Sequence, residues 1–213
     1  FVTDAIVDAA GDVFATGMSI EKADFGAGLI DSPNWAPFIV KYAANGKLRW
    51  VRLFSGWLDN TDGDQSPRLA LGNDGTLYLT GSYHGPLDLG TGPLPYDSSS
   101  FDFFVASFNA NGTTRWSKGF AAPRYQGASA LAVDSHGAVW VTGNFQGAMQ
   151  LGSHTVFTGP NDPGQVFLAK FSKDGEALHA VSWGDDQPQQ AFSLTALTDD
   201  SVVFGGGSSG TIA

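Results

Sequence analysis

Three observations predict an all-β fold assembled from repeated units of about 63 residues. The stretch Val133-Asp134-Ser135-His136-Gly137-Ala138-Val139-Trp140-Val141-Thr142-Gly143 recurs as Val7-Asp8-Ala9-Ala10-Gly11-Asp12-Val13-Phe14-Ala15-Thr16-Gly17 and as Leu71-Gly72-Asn73-Asp74-Gly75-Thr76-Leu77-Tyr78-Leu79-Thr80-Gly81. A worn fourth copy is Ser201-Val202-Val203-Phe204-Gly205-Gly206, and the closing glycines Gly17, Gly81, Gly143 and Gly206 stand 64, 62 and 63 residues apart. Between them the apolar residues alternate with a period of two, and no amphipathic helical period is evident.

Each unit yields four strands in order. The first is a short apolar run, Ala5-Ile6-Val7, Leu69-Ala70-Leu71 or Leu131-Ala132-Val133. A tight turn follows, opened by Asp8 or Asp134 and closed by Gly11, Gly75 or Gly137. The Asp carboxylate can bond the turn backbone and the Gly can take positive φ. The second strand fixes an aromatic at Phe14, Tyr78 and Trp140, while its neighbours point to the opposite face. Both faces are apolar, so this strand is expected between neighbouring sheets. A long segment then carries Asp24-Phe25-Gly26, Asp88-Leu89-Gly90 or Gln150-Leu151-Gly152. The third strand begins at Phe38, Phe104 or Phe167 and ends in Asn45-Gly46, Asn111-Gly112 or Asp174-Gly175, a strong hairpin signal. The fourth strand holds Trp50, Trp116 or His179, and the repeat-locked aromatics are expected in the core.

Four antiparallel strands per unit describe a blade of a β-propeller. The expected division is 1–64, 65–127 and 128–190 as whole blades, with 191–213 as the first two strands of a fourth. The unit is longer than WD40 or kelch repeats and lacks the WD signature. Three blades and a half do not close a ring, so further blades of a longer chain are expected to cover the open faces, in preference to a dimer. The opening at Phe1, inside an apparent strand, fits that expectation.

These residues resemble the bacterial seven-bladed β-propeller (SBBP) repeat. The resemblance rests on Val-Asp-x-x-Gly-x-Val-aromatic-Val-Thr-Gly, the Leu/Phe-Gly element, Phe-x-x-Lys-aromatic, Asn-Gly and Trp, and covers essentially the whole chain. It implies a secreted or cell-surface bacterial protein. The acidic residue usual two positions before the third-strand Phe survives only as Asp102, with Ala36 and Gln165 in its place elsewhere; Gly72 lacks the turn Asp, and the fourth repeat loses its turn Gly.

Composition narrows the function classes. The net charge is −10 and the basic residues are scattered, which argues against a nucleic-acid partner. The absence of Cys excludes disulfides, thiol nucleophiles and Cys zinc sites. No apolar run has the length of a transmembrane segment.

Chemistry is expected at one end. The first-to-second and third-to-fourth turns are tight and repetitive, whereas the second-to-third and inter-blade connections are long and variable. On that end, Asp59, Asp62 and Asp64 with their polar neighbours could surround Ca²⁺, although the spacing is not that of an EF-hand. The same composition also makes an ordinary solvated acidic loop. Trp57, Trp35, Tyr96 and Tyr125 are aromatic candidates for sugar or peptide contact, with Arg124, Asp185, Asp186 and Gln187 in the equivalent loops of the later repeats. No cofactor is required. His84, His136, His154 and His179 lack metal-binding spacings, and no Gly-x-Ser-x-Gly elbow occurs. The sequence therefore reads as a non-catalytic binding module for a protein or polysaccharide. The alternatives are a hydrolase or lyase with a site in the axial funnel, and a structural spacer or assembly subunit of a surface array.

Overall fold

The computed structural model describes residues 1–32, 35–56, 58, 66–158 and 163–210, and among these the regular secondary structure is β throughout. Among these residues no helix is long and apolar enough to cross a membrane. In chain order the strands are β1 (Val2–Val7), β2 (Val13–Ser19), β3 (Lys22–Asp24), β4 (Leu29–Asp31), β5 (Ala36–Tyr42), β6 (Leu48–Leu53) and β7 (Ser55–Gly56). They continue with β8 (Arg68–Leu71), β9 (Leu77–Tyr83), β10 (Leu87–Asp88), β11 (Asp102–Phe108) and β12 (Thr114–Phe120). The remainder are β13 (Gln126–Val133), β14 (Val139–Phe145), β15 (Ala148–Leu151), β16 (His154–Phe157), β17 (Gln165–Phe171), β18 (Ala177–Trp183), β19 (Gln189–Ala196) and β20 (Val202–Ser208).

The repeat appears as three four-stranded antiparallel meanders, β1-β2-β5-β6, β8-β9-β11-β12 and β13-β14-β17-β18, followed by the two-stranded β19-β20. The register repeats too: Gly17 pairs with Phe38, Gly81 with Phe104 and Gly143 with Phe167. The first strands are longer than the short apolar runs, because β1, β13 and β19 continue past a bulge at Thr3, Ser129 and Phe192. The long segments also carry structure. Asp24 Oδ1 accepts from the Gly26 and Gly28 amides, and Asp88 Oδ1 from Gly90 and Gly92, each closing a small turn.

Turn chemistry follows residue type. In the Asn-Gly and Asp-Gly hairpins only Gly46, Gly112 and Gly175 take the left-handed conformation (φ +79, +79 and +83°). A one-residue register shift follows each hairpin, so these are bulged turns and not the two-residue primed type. In the fourth repeat Asp200 occupies the left-handed position held elsewhere by Gly11, Gly75 and Gly137, at φ +64°. Asp tolerates that region better than most side chains, and the turn bond from Asp200 N to Leu197 O is kept.

The sheets pack in sequence, with β1 against β8, β8 and β9 against β13, and β13 and β14 against β19. Phe14, Met18 and Ile39 of the first sheet meet Leu77, Leu79 and Phe104 of the second. Tyr78, Phe103 and Val105, on the other face of the second sheet, meet Val139, Val141 and Phe167 of the third. Phe14 and Tyr78 are buried as the two-residue period requires. Trp140, expected in the core, is only half-buried. By the same alternation it faces away from the second sheet, toward the side where only β19-β20 follows. Trp50 and Trp116, also expected in the core, are half-buried as well. Their rings lie over Gly112 and Gly175 of the next sheet's hairpin, where a Cβ would come within 2.9 Å of the indole.

Arg68 ties the first strands together, with Nη1 donating to Thr3 O at 2.9 Å and Nε to Ser129 O at 3.4 Å. Asp4 Oδ2 accepts from Leu69 N at 2.8 Å.

Candidate functional site

The two ends of the sheet stack are used differently. At the tight-turn end several polar groups are spent within the fold. Asp8 caps its own turn through the amides of Ala10 and Asp12 and also takes Lys41 at 3.2 Å. Asp134 takes the amides of His136 and Ala138, the Trp140 indole and the Lys170 ammonium. Burial by itself raises the Asp134 carboxyl, but Ala138 N, Lys170 and Trp140 together hold it below the ordinary value. The second repeat lacks both partners: Gly72 stands for the Asp and buried Ser107 for the Lys.

Asp134, His136 and Asp200 lie close enough to suggest a metal centre. The bonding says otherwise. Both Asp134 oxygens are engaged by internal donors, while Asp200 takes the Ser135 hydroxyl at 2.7 Å and His136 Nδ1 at 3.0 Å. The group is a clamp between two turns.

The long-connection end holds a cleft of about 380 Å³ between the third sheet and β19. Ser129 of β13, Asn144 of β14, Gln189 and Phe192 of β19, and Tyr125 and Pro188 of the links before β13 and β19 form much of its wall. Among the described residues no Asp, Glu, Lys, Arg or His lines it. Asn144 bridges the sheets, its Nδ2 donating to Gln189 O and its Oδ1 accepting from Ala191 N at 3.2 Å. Gln189 is 2% exposed; its Nε2 donates to Asp185 Oδ1 at 2.7 Å, and its Oε1 has no partner. Gln126, its repeat equivalent 63 residues earlier, is fully buried with both amide atoms unpartnered.

The sequence candidates divide around this cleft. Tyr125 lines it, and the Arg124 stem packs beside Gly147 at the neighbouring β14–β15 turn. Asp185 stands behind Gln189, orienting its amide and capping the link through Gln187 N at 2.9 Å. Asp186 and Gln187 are exposed on the same link, outside the wall. Tyr96, 43% exposed on the β10–β11 connection, does not join the cleft. Trp35 packs against the first core cluster and stacks with Phe1. Trp57, Asp59, Asp62 and Asp64 lie outside the described residues, so the calcium expectation concerns a segment beyond this description. Gln189, Asn144 and Phe192 are the residues that sequence reasoning missed. The available signal was Gln126 and Gln189, amides at equivalent positions where a strand begins.

Asp102 lies at the same end of the second sheet, fully buried. Its oxygens accept from Asp97 N at 2.6 Å and Ala122 N at 3.2 Å, tying the long loop to the link before β13. Burial pushes its carboxyl up to about 6, against the lowering effect of those two amides.

No protein-family model matches the chain. In an alignment 195 residues long that covers 79% of this chain, it is 23% identical to an uncharacterized WD repeat-containing protein of Acanthamoeba polyphaga mimivirus. The chain spans 14% of that relative's length. Together with the succession of antiparallel sheets, this likeness suggests a β-propeller-like repeat protein.

Proposed function

We propose that the chain is a non-catalytic protein-interaction module, a segment of a β-propeller whose long-connection end receives the partner. The observation that carries this is the division of labour between the ends. The tight-turn end is consumed by repeat-to-repeat contacts, in which Trp50 Nε1 donates to Ala110 O, Trp116 Nε1 to Lys173 O, and the Ser135 hydroxyl to Asp200. The other end carries the variable connections and the cleft, on a rigid scaffold. The WD-repeat likeness supports the interaction role. Among the described residues the cleft wall carries no carboxylate or imidazole, which disfavours the hydrolase or lyase alternative at that position.

In this reading each sheet is one blade and further blades cover the outer faces. A hollow of about 420 Å³ on the first sheet, walled in part by Met18, Phe25, Phe38 and Tyr42, would receive a neighbouring blade. Exposed Val203 (53%) would be covered on the other side. A secreted or cell-surface bacterial setting, implied by the repeat resemblance, belongs to the same proposal.

Photo-cross-linking in the native protein tests the working end. Cross-linkers at Tyr96 and Asp186 should give partner adducts, and those at Asn45 and Asn111 should not. Adducts confined to the Asn45 and Asn111 positions would overturn the assignment.

A further inference from the structure

We propose that the cleft between the third sheet and β19 binds one uncharged sugar unit of a saccharide ligand. This goes beyond protein docking and rests on the long-connection end being the working surface.

The wall selects against charge. With no carboxylate, ammonium, guanidinium or imidazole lining it among the described residues, an ionic ligand would be desolvated there without a counter-charge from them. What the wall offers is neutral hydrogen bonding. Gln189 shapes the wall: Asp185 holds its Nε2, and its Oε1 is buried beside Gly184. The Ser129 hydroxyl and the Gln190 amide, which also line the cleft, can each donate and accept. Sugar hydroxyls do the same, so the two sets are complementary.

Apolar surface stands beside these groups. Phe192 occupies the bulge position of β19 that Ser129 occupies in β13, and its ring is 48% exposed. Pro163 and Pro188 add flat aliphatic faces. An aromatic ring next to convergent amides and hydroxyls suits the carbon face of a pyranose. The volume of about 380 Å³ is at the lower end of the usual range for small-ligand sites.

An extended peptide fits less well. Peptides that add to sheets rely on free main-chain donors and acceptors. Here Asn144 already satisfies Gln189 O and Ala191 N, so that part of the wall has no ladder to offer.

Calorimetric titration of the native protein with glucose, galactose, mannose, N-acetylglucosamine and their neutral disaccharides is the test. At least one should bind saturably with Kd of about 1 mM or tighter. Phe192→Ala and Gln190→Ala, both at exposed positions, should weaken that binding at least about tenfold, and glucuronic acid should bind at least about tenfold more weakly than its neutral counterpart. No saturable sugar binding, or binding indifferent to both substitutions, would overturn the inference. Binding of an uncharged peptide instead, sensitive to Phe192→Ala, would overturn the sugar assignment. Partner cross-linking from Tyr96 and Asp186 is scored separately, so the sugar inference can fail while the interaction reading stands.

Discussion

The Trp116 indole nitrogen donates to the Lys173 carbonyl at 2.9 Å, reaching from the outer strand of one sheet into the hairpin of the next. Trp50 makes the same bond one repeat earlier, to Ala110 O at 3.2 Å. Each indole lies over a left-handed Gly, so ring and turn are mutually required.

Trp116→Phe keeps most of the ring surface and removes the donor, and should cost about 1 kcal/mol in urea unfolding. Trp116→Ala should cost roughly 3–5 kcal/mol, because the apolar contact goes as well. Gly175→Ala should also destabilise, through its φ of +83° and its approach to the indole. Equal midpoints for the wild type and Trp116→Phe would show that the bond contributes nothing.

Lys170 and Asp134 form an ion pair at 3.1 Å, with Lys170 also 4.7 Å above the Trp140 ring. The Asp134 side chain is fully buried, so Lys170→Met strands a charge and should cost roughly 3–5 kcal/mol. The double variant Asp134→Asn, Lys170→Met should cost less than the two singles added, because no unpaired charge remains. Strict additivity would refute the coupling. The second repeat has already made this exchange, losing both charges together at Gly72 and Ser107.

Much of the scaffold was legible because it is written in repeated local chemistry. The glycine spacing located the units, the aromatic of each second strand located the sheet faces, and the Asn-Gly and Asp-Gly pairs located the hairpins. Loop variability singled out the end that holds the cleft, and Tyr125 lines that cleft. Gln189, Asn144 and Phe192 were not, because what they do depends on how one sheet sits against the next. An amide at a strand start looks the same whether it is solvated or buried. Likewise the loss of the turn Gly in the fourth repeat did not show that Asp200 would take its left-handed place and reach Ser135.

Asp102 should make stability respond to pH with a sign opposite to that of Asp8 and Asp134. Its folded pKa of about 6 lies above the ordinary value of 3.8, so between those limits the folded state binds more protons than the unfolded chain. Stability from this group therefore rises as pH falls from about 6 toward 4, and is lost as pH rises through 6. The carboxyls of Asp8 and Asp134 are lowered, so their contribution is present above 3.8 and is lost as pH falls through their folded values. Urea midpoints of the wild type should rise relative to Asp102→Asn between pH 7 and about 4.5. Parallel profiles for the two proteins would remove Asp102 as the source.

The clamp at Asp200 separates backbone strain from side-chain bonding. Its φ of +64° suits Gly, is tolerable for Asp and is strained for Ala. Its carboxylate meanwhile accepts from the Ser135 hydroxyl at 2.7 Å and the Ser135 amide at 3.1 Å. Asp200→Gly removes the bonds and relaxes the turn, whereas Asp200→Ala removes the same bonds and keeps the strain. The melting temperature should therefore be lower for Asp200→Ala than for Asp200→Gly. The Ser135 amide should exchange its hydrogen faster in both variants than in the wild type, because it loses its acceptor in each. If Asp200→Ala melts at or above Asp200→Gly, the left-handed turn is not what the fourth repeat preserves. If Ser135 exchange is unchanged, the carboxylate is not the clamp.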